Sequence, residues 1–266
     1  MIGRAVTDRA AARLASERPA AVARRVATGG LALALAFALA GPAWAGDAAA
    51  ANAAPAAVVD SATPAAVAPD AQALIAQYTV RDARGERSLT LVRSADRIEY
   101  RQPGEPAELW RQTPDGIARL ELFAEEKRSI AWAPGDLRTT GRMPQWQQLA
   151  SPINPQLRDK LKRDGSAKVL GLSAERYRGE SAEGQPIALE WLSAEGLPAY
   201  YRTGPAKPKT GDTGFYELKL VKLERVGAQT AFTATGDYRE TDYADLGDME
   251  LDPFAAAYLK RNGHAH

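Results

Sequence analysis

Apolar and polar residues alternate with a period of two through most of the chain from residue 73 onward. Leu89 and Leu91 alternate with polar neighbours, and the same pattern recurs around Leu120, Leu189 and Leu218. A strand with one buried and one solvated face produces this alternation, and Pro-Gly and Glu-Gly turns separate the segments. We therefore predict a mainly β (α+β) fold, a single strongly curved antiparallel sheet or incomplete β-barrel of about ten strands with two short helices.

One predicted strand changes the phase of its apolar residues. Leu218 and Leu220 share one face, whereas Val221 and Leu223 share the other. A β-bulge, or a bend between two parts of a sheet, produces such a change. This phase change favours a coiled sheet over a flat one.

The two helices are predicted from their first residues. Asn154-Pro155 and Asp252-Pro253 each place an N-capping side chain before a proline at the first helical position. The cap accepts a hydrogen bond from a free N–H group of the first turn, and proline lacks the N–H group that would be unpaired there. Gly165 and Gly263 are expected to end the two helices.

Residues 1–45 have the order of an export signal. Several arginines precede an uncharged apolar run over 31–40, and the small residues Ala43 and Ala45 follow. This order is typical of a secretory signal peptide, and we predict cleavage between Ala45 and Gly46. The apolar run is shorter than the ~20 residues that span a bilayer, which disfavours a membrane anchor. The pair Arg24-Arg25 leaves twin-arginine export open beside general secretion.

The remaining chain divides into three predicted parts. Residues 46–72 are almost wholly Ala, Pro, Val and Asp, a composition that forms a disordered linker. Residues 73–262 form a single β-rich half-barrel domain, and residues 263–266 form a disordered tail. The expected location is the periplasm or the exterior, without integral membrane insertion after cleavage.

Composition excludes several chemistries. The chain has no cysteine, and its two histidines, His264 and His266, lie in the last three residues. No Ser–His or Cys–His pair and no nucleotide-binding loop is present, so we predict no enzyme activity and no cofactor. A net charge of +1 gives no basic face for nucleic acid.

Acidic residues leave two alternatives open. A carboxylate-dependent hydrolase needs only two placed acids, but the candidates are expected on a solvated strand face. These candidates are Glu121, Glu125, Glu126, Glu190 and Glu217. The acidic segment 237–252 is either a cation site or a connection whose last acids favour the dipole of the next helix. His264 and His266 are a second, weaker metal hypothesis.

Aromatic residues supply the main candidates for binding. A curved sheet covered by helices encloses an apolar space, which is filled by its own side chains or admits a ligand. The residues that we expect to line this space are Trp110, Leu120, Trp132, Trp191 and Tyr216. The polar segment 133–150 is either a lid or a surface loop.

The run VLGLSAERYRG at 169–179 leads through Gly184 and IALEWL at 187–192 to Gly196-Leu197-Pro198. This order resembles the later strands of the periplasmic lipoprotein carriers, the LolA/LolB-like half-barrels, and their sensor relatives. The resemblance implies an incomplete barrel with helices across its mouth and an apolar cavity for acyl chains. The chain has no lipid-acceptor cysteine, which excludes the anchored receptor type.

We therefore predict a non-enzymatic carrier or sensor for a hydrophobic small molecule, a lipid or a lipidated protein. The alternative is an interaction or scaffold protein with a solidly packed barrel, whose acidic segment 237–252 docks a protein partner. A carboxylate-dependent hydrolase is the third hypothesis.

Overall fold

The computed structural model describes residues 72–205, 214–249 and 251–262. One compact unit holds the sheet, and the described part of the other is the end of the C-terminal helix. The predicted signal peptide, its cleavage site at Ala45 and Gly46, and His264 and His266 lie outside the described residues.

The described strands form one curved sheet of twelve strands that does not close. In chain order they are β1 Gln72–Asp82, β2 Gly85–Arg93, β3 Arg97–Arg101, β4 Ala107–Thr113, β5 Gly116–Phe123, β6 Arg128–Trp132, β7 Lys162–Val169, β8 Leu172–Glu180, β9 Pro186–Leu192, β10 Leu197–Thr203, β11 Tyr216–Gly227 and β12 Arg239–Asp242. Their order across the sheet is β12-β6-β5-β4-β3-β2-β1-β11-β10-β9-β8-β7. All neighbours are antiparallel except β6 and β12, which are parallel. The predicted mainly β class is confirmed, with twelve strands instead of about ten; the described residues form four α-helices and two 3₁₀ helices instead of the two predicted helices.

The β-bulge predicted in β11 is present. Gln77 pairs with Lys222, and the next residue, Tyr78, pairs with Leu220. Val221 is therefore the extra residue, and its side chain is exposed. The bulge restores the register, so apolar residues on both sides of it face the same way.

The helix predicted at Asn154 is shorter than expected. Asn154 does cap a 3₁₀ helix over Pro155–Lys160, and its side chain accepts a hydrogen bond from the Gln156 N–H group at 2.9 Å. Gly165 lies inside β7 rather than beyond a helix, at a φ of 95°. The β7–β8 register slips around it, so this glycine serves an irregular strand and not a helix end.

The helix predicted at Asp252 is confirmed. It spans Pro253–Arg261, and the Asp252 carboxylate accepts a hydrogen bond from the Phe254 N–H group at 2.9 Å. We number it α4, after α1 Pro134–Thr139, α2 Trp146–Leu149 and α3 Ala228–Ala231; a further 3₁₀ helix spans Ala244–Asp248. No helix in the described part of the chain has the length and apolar character that crossing a bilayer needs.

Both faces of the sheet bury apolar side chains. One face, here the inner face, is buried from β6 to β9, with Trp132, Leu91 and Leu189 among its side chains. On the opposite, outer face, a smaller core surrounds Leu109 and Phe232 beneath α3. The segment after β11 folds back over the outer face and covers it.

Glu99 lies on this outer face and is buried, although the alternation of apolar and polar residues in β3 predicts a solvated side chain. It is 0% exposed. Its carboxylate accepts hydrogen bonds from Arg101 at 2.7 and 2.8 Å, and from the N–H and hydroxyl groups of Thr233 at 2.9 and 2.5 Å. Local alternation marks Glu99 as polar, but a segment more than a hundred residues away buries it.

Candidate functional site

The candidate site lies where the segment 134–160, here the cover segment, crosses the inner face. At one end Arg142 lies over the Trp132 ring of β6, at 5.1 Å from its centroid. At the other end Arg158 lies over the Trp191 ring of β9, at 5.7 Å. The cover segment therefore runs across the sheet from β6 to β9, and its α1 helix packs on β5 and β6.

Two side chains of the inner face hold the middle of the cover segment. The Tyr100 hydroxyl on β3 donates to the Leu149 carbonyl oxygen at 2.8 Å. The Arg93 guanidinium on β2 donates to the Ala150 carbonyl oxygen at 2.6 Å through Nη1, and to the Glu195 carbonyl oxygen at 2.5 Å through Nη2. Arg93 therefore joins the cover segment to the β9–β10 turn.

The cover segment contributes little to the apolar core. Leu137 is the buried residue of α1, whereas neither α2 nor the 3₁₀ helix Pro155–Lys160 contains a buried residue. A segment with few buried apolar contacts opens at a lower free energy than the sheet beneath it. Its attachment therefore depends strongly on hydrogen bonds from Tyr100 and Arg93.

Tyr78 completes the polar group beneath the cover segment. It is 1% exposed, and its hydroxyl has no hydrogen-bond partner among the described residues. Burial raises the pKa of Tyr78, and the nearby positive charge of Arg93 opposes that rise. Burial likewise raises the pKa of Tyr100, so both phenols are neutral donors at physiological pH.

The hydrogen-bond acceptors of the Arg93 guanidinium are neutral groups. Arg93 forms no ion pair within the described ranges, and its two acceptors are backbone carbonyl oxygens. The carboxylate of nearby Glu195 is instead bound to Arg225. Burial lowers the pKa of Arg93, because the cation loses hydration. The site is thus a partly buried cation beside two phenols, which can bind an acceptor group but supplies no nucleophile–base pair.

Trp110 and Trp132 lie on the inner face on either side of Arg119. Trp110 pairs with Arg119 across β4 and β5, and Arg119 pairs with Trp132 across β5 and β6, so all three share one face. The Arg119 guanidinium lies 5.2 Å from the Trp110 centroid and 5.9 Å from the Trp132 centroid. Tyr243 stacks on Trp132 at 3.5 Å. Trp132 is therefore sealed by its neighbours.

Trp191 and Tyr216 belong to the same face at its other end. Both share the side of Tyr201 through the pairings of β10 with β9 and β11, and the Tyr201 and Tyr216 ring centroids are 6.0 Å apart. Leu120 does not join them. It packs with Leu109 in the outer-face core. Four of the five predicted aromatic and apolar residues thus share the inner face, and Leu120 lies on the opposite one because its parity in β5 differs.

Glu121 also departs from expectation, since it is not on a solvated face. It is 8% exposed, accepts a hydrogen bond from Trp132 Nε1 at 3.0 Å, and lies 3.3 Å from Arg119. Glu125 and Glu126 are exposed in the β5–β6 turn, whereas Glu190 and Glu217 are half-buried. Glu190 pairs with Arg176 at 3.4 Å, and Glu217 accepts from the Tyr200 hydroxyl at 3.0 Å.

Sequence reasoning missed Tyr78 and Arg93 as site residues. Arg93 follows Leu89 and Leu91 at the parity that alternation assigns to the buried face. A charged residue at such a position is unusual, because an unpaired buried charge is costly. That mismatch is the signal that could have identified Arg93, whereas Tyr78 looks like an ordinary core tyrosine.

The acidic segment 237–252 is divided among separate basic partners. Asp237 pairs with Lys127 at 3.0 Å, and Asp252 pairs with Arg128 at 2.8 Å. Within the described residues no group of three or more acidic or histidine side chains is placed to hold a metal ion.

An open groove of about 270 Å³ runs along the acidic segment 237–252, and a second of about 350 Å³ lies between α2 and the β4–β5 turn. The first is lined by Arg239, Glu240, Thr241, Asp242, Asp245 and Met249.

No known family and no curated protein matches this sequence. Among solved structures, an uncharacterized conserved protein from Thermus thermophilus matches at a TM-score of 0.39 and 13% identity, over 64% of this chain and 90% of that one. The Pseudomonas aeruginosa MucA/MucB complex matches at 0.34 and 9%, over 61% of this chain and 56% of that chain. A LolA superfamily protein from Nitrosomonas europaea matches at 0.22 and 8%, over 61% and 90%.

This chain therefore spans little more than half of the matched chain in the MucA/MucB complex. With TM-scores below 0.5, these likenesses are too distant to carry function to the present chain. The solved structures that match include one LolA superfamily protein.

Proposed function

We propose that this protein is an exported, non-enzymatic carrier or sensor that binds a hydrophobic ligand between the inner face and the cover segment. The ligand class is an acyl chain, a lipid or a lipidated protein. The observation that carries the proposal is the attachment of the cover segment, which is held to an apolar sheet face by the Tyr100 and Arg93 hydrogen bonds.

The chemistry of the two surfaces supports this proposal. Most inner-face side chains are buried or half-buried from β6 to β9, and they include large aromatic groups such as Trp110, Trp191 and Tyr201. An apolar chain that enters beneath the cover segment exchanges water for this surface, which is worth about 0.8 kcal/mol for each buried CH₂ group. A longer acyl chain buries more CH₂ groups and therefore favours opening of the weakly packed cover segment more strongly.

The polar groups beneath the cover segment favour binding over catalysis. Arg93 and Tyr100 donate hydrogen bonds to backbone carbonyl oxygens, and the Tyr78 hydroxyl has no partner among the described residues. None of the three is placed against a general base in the described contacts. Export is proposed from the order of residues in 1–45.

Labelled cysteines test whether the cover segment lifts when a ligand binds. The chain has no cysteine, so an introduced cysteine is labelled selectively. Spin labels at Gln147→Cys on the cover segment and Glu126→Cys on a sheet turn report the distance between the two. Addition of dodecanoic acid should lengthen this distance. The control pair, Glu126→Cys with Glu183→Cys, joins two exposed sheet turns and should not change.

Native mass spectrometry of the protein purified from a bacterial periplasm tests binding itself. Added fatty acid should bind with a stoichiometry of one, and Trp191→Ala should weaken it. A bare protein mass at every ligand concentration would contradict the carrier proposal.

A second candidate function is protein docking through the acidic segment 237–252. It is favoured by the open groove along β12 and the following 3₁₀ helix, which Asp242 and Asp245 help to line. Replacement of Asp242, Asp245 and Asp248 by Asn should then abolish partner capture without affecting ligand binding. If the triple variant still captures its partner, this alternative is contradicted.

A further inference from the structure

We infer that Tyr78, Arg93 and Tyr100 form a head-group site that selects fatty acids, through their carboxylate, over uncharged acyl compounds. This inference rests on the proposed function and specifies its ligand. The three side chains lie on the neighbouring strands β1, β2 and β3 and on the same face. Tyr78 pairs with Leu89, which shares its face of β2 with Leu91 and Arg93, and Leu91 pairs with Tyr100.

The Tyr78 hydroxyl is the first group that points to such a site. It is buried on the inner face with no hydrogen-bond partner in the described part of the chain. A buried hydroxyl without a partner loses its hydration and gains nothing in return, which makes it destabilising. A ligand oxygen that accepts its hydrogen bond would recover that loss. The unpaired hydroxyl therefore destabilises the free protein, and a hydrogen bond to a bound ligand would remove that destabilisation.

The charge of Arg93 is the second group that points to it. Its two Nη groups donate to carbonyl oxygens of Ala150 and Glu195, and no carboxylate lies within ion-pair distance among the described residues. The Glu195 side chain is bound to Arg225, and its charge acts on Arg93 only from beyond ion-pair distance. A guanidinium prefers a carboxylate to a neutral oxygen, since two charge-assisted hydrogen bonds then form in parallel. The local charge thus favours an anionic head group.

Ligand entry would exchange one set of acceptors for another. In the closed arrangement Arg93 and Tyr100 donate to the Ala150 and Leu149 carbonyl oxygens. When the cover segment lifts, both donors are released on the inner face. The two oxygens of a carboxylate can then take the place of the two carbonyl oxygens, and the Tyr78 hydroxyl gains its first acceptor. The acyl chain follows the apolar side chains of the same face.

The charge of the site distinguishes between two classes of anionic ligand, carboxylates and phosphate monoesters. Arg93 brings one positive charge, and the phenols of Tyr78 and Tyr100 are neutral. One guanidinium neutralises one carboxylate, whereas a phosphate monoester would bring nearly two negative charges. The site is therefore matched to a fatty acid.

Displacement of Nile red from the full-length protein tests this inference. Dodecanoic acid and methyl dodecanoate have the same chain, and the wild-type protein should bind the acid about tenfold more tightly. Tyr78→Phe should weaken the acid about tenfold and the ester less, because the ester oxygen carries no full negative charge. The melting temperature should rise, because the unpaired hydroxyl is removed. Tyr200→Phe removes a hydroxyl from the opposite face and should change neither ligand.

The remaining outcomes of these experiments overturn either the head-group site or the proposed carrier function. Equal binding of acid and ester by the wild type, or a Tyr78→Phe effect on melting alone, would overturn the head-group site. Tighter binding of dodecyl phosphate than of the acid would overturn the carboxylate assignment. If Tyr78→Phe does not fold, Arg93→Gln should remove the preference for the acid, and retention of that preference would overturn the inference. Failure of both acyl compounds to displace the dye would instead contradict the proposed carrier function.

Discussion

Arg93 and Ala150 are 57 residues apart in the chain, yet Nη1 of the first lies 2.6 Å from the carbonyl oxygen of the second. Arg93 is fixed on a central strand, whereas Ala150 follows a helix without buried residues. The hydrogen bond therefore joins a strand in the middle of the sheet to a segment with few buried apolar side chains.

Arg93→Met should loosen the cover segment. A hydrogen bond to a charged donor contributes about 1.5–3 kcal/mol, so the amides of 147–151 should exchange with solvent about tenfold faster or more. Hydrogen exchange followed by mass spectrometry measures this directly. Arg176→Met, which removes a half-exposed arginine from a surface ion pair, is the matched control and should leave these amides unaffected. Unaltered exchange in Arg93→Met would show that the Arg93 hydrogen bond does not hold the segment.

Glu99→Ala should lower the free energy of unfolding by about 3 kcal/mol, because Arg101 and Thr233 lose the carboxylate that pairs them. Urea denaturation measures the change. Glu86→Ala removes an exposed glutamate from a surface pair and should cost less than about 0.5 kcal/mol. Similar losses for both variants would contradict the structural role assigned to Glu99.

Acid should weaken the cap of α4. The Arg128 hydrogen bond and the N–H groups of the first turn hold the pKa of Asp252 at about 2, below its ordinary value of 3.8. A carboxyl group whose pKa is lower in the folded state stabilises the fold above its ordinary pKa, and that contribution is lost as the pH falls from about 4 toward 2.

Asp252→Asn tests this assignment, since it keeps a capping oxygen without the charge. In urea denaturation at each pH from 5 to 2, part of the acid sensitivity should disappear in the variant. Identical pH profiles for the variant and the wild type would show that other carboxylates account for the loss.

Leu170→Asn should stabilise the protein by about 1 kcal/mol. Leu170 and Gly171 form the two-residue turn between β7 and β8, with φ angles of 52° and 79°. Asn adopts this left-handed region more readily than Leu, and the sequence Asn-Gly is preferred in such turns. Thermal unfolding measures the gain. Leu172→Asn changes a similarly apolar residue in the adjoining strand and should give no gain.

Local patterns predicted the strands well because side-chain parity is a local property. The alternation around Leu89 and Leu189 corresponds to β2 and β9, and the phase change at Val221 corresponds to the bulge. Strand β12 was missed because it has four residues and no apolar alternation. The start of β7 lies where a helix was predicted, because the pair Asn154-Pro155 signals a first turn but does not determine its length.

The candidate site could be predicted only in part. Trp110, Trp132 and Trp191 were chosen as aromatic residues in or beside strands, and the sheet places them on one face. Leu120 was grouped with them, although the register of β5 puts it on the other face. The polar residues of the site escaped notice, since nothing close to Tyr78 or Arg93 in the sequence shows what covers them.

The amino-acid sequence by itself determined that the chain forms a curved, bulged antiparallel sheet, because strand parity, turn residues and helix caps act over a few residues. Only the tertiary structure decided which polar groups are buried and which acceptors they meet. Glu99 meets Thr233, and Arg93 meets Ala150, through segments that return from distant parts of the chain. The hydration that each group loses, and the hydrogen bonds that replace it, depend on those returning segments and not on neighbours in the sequence.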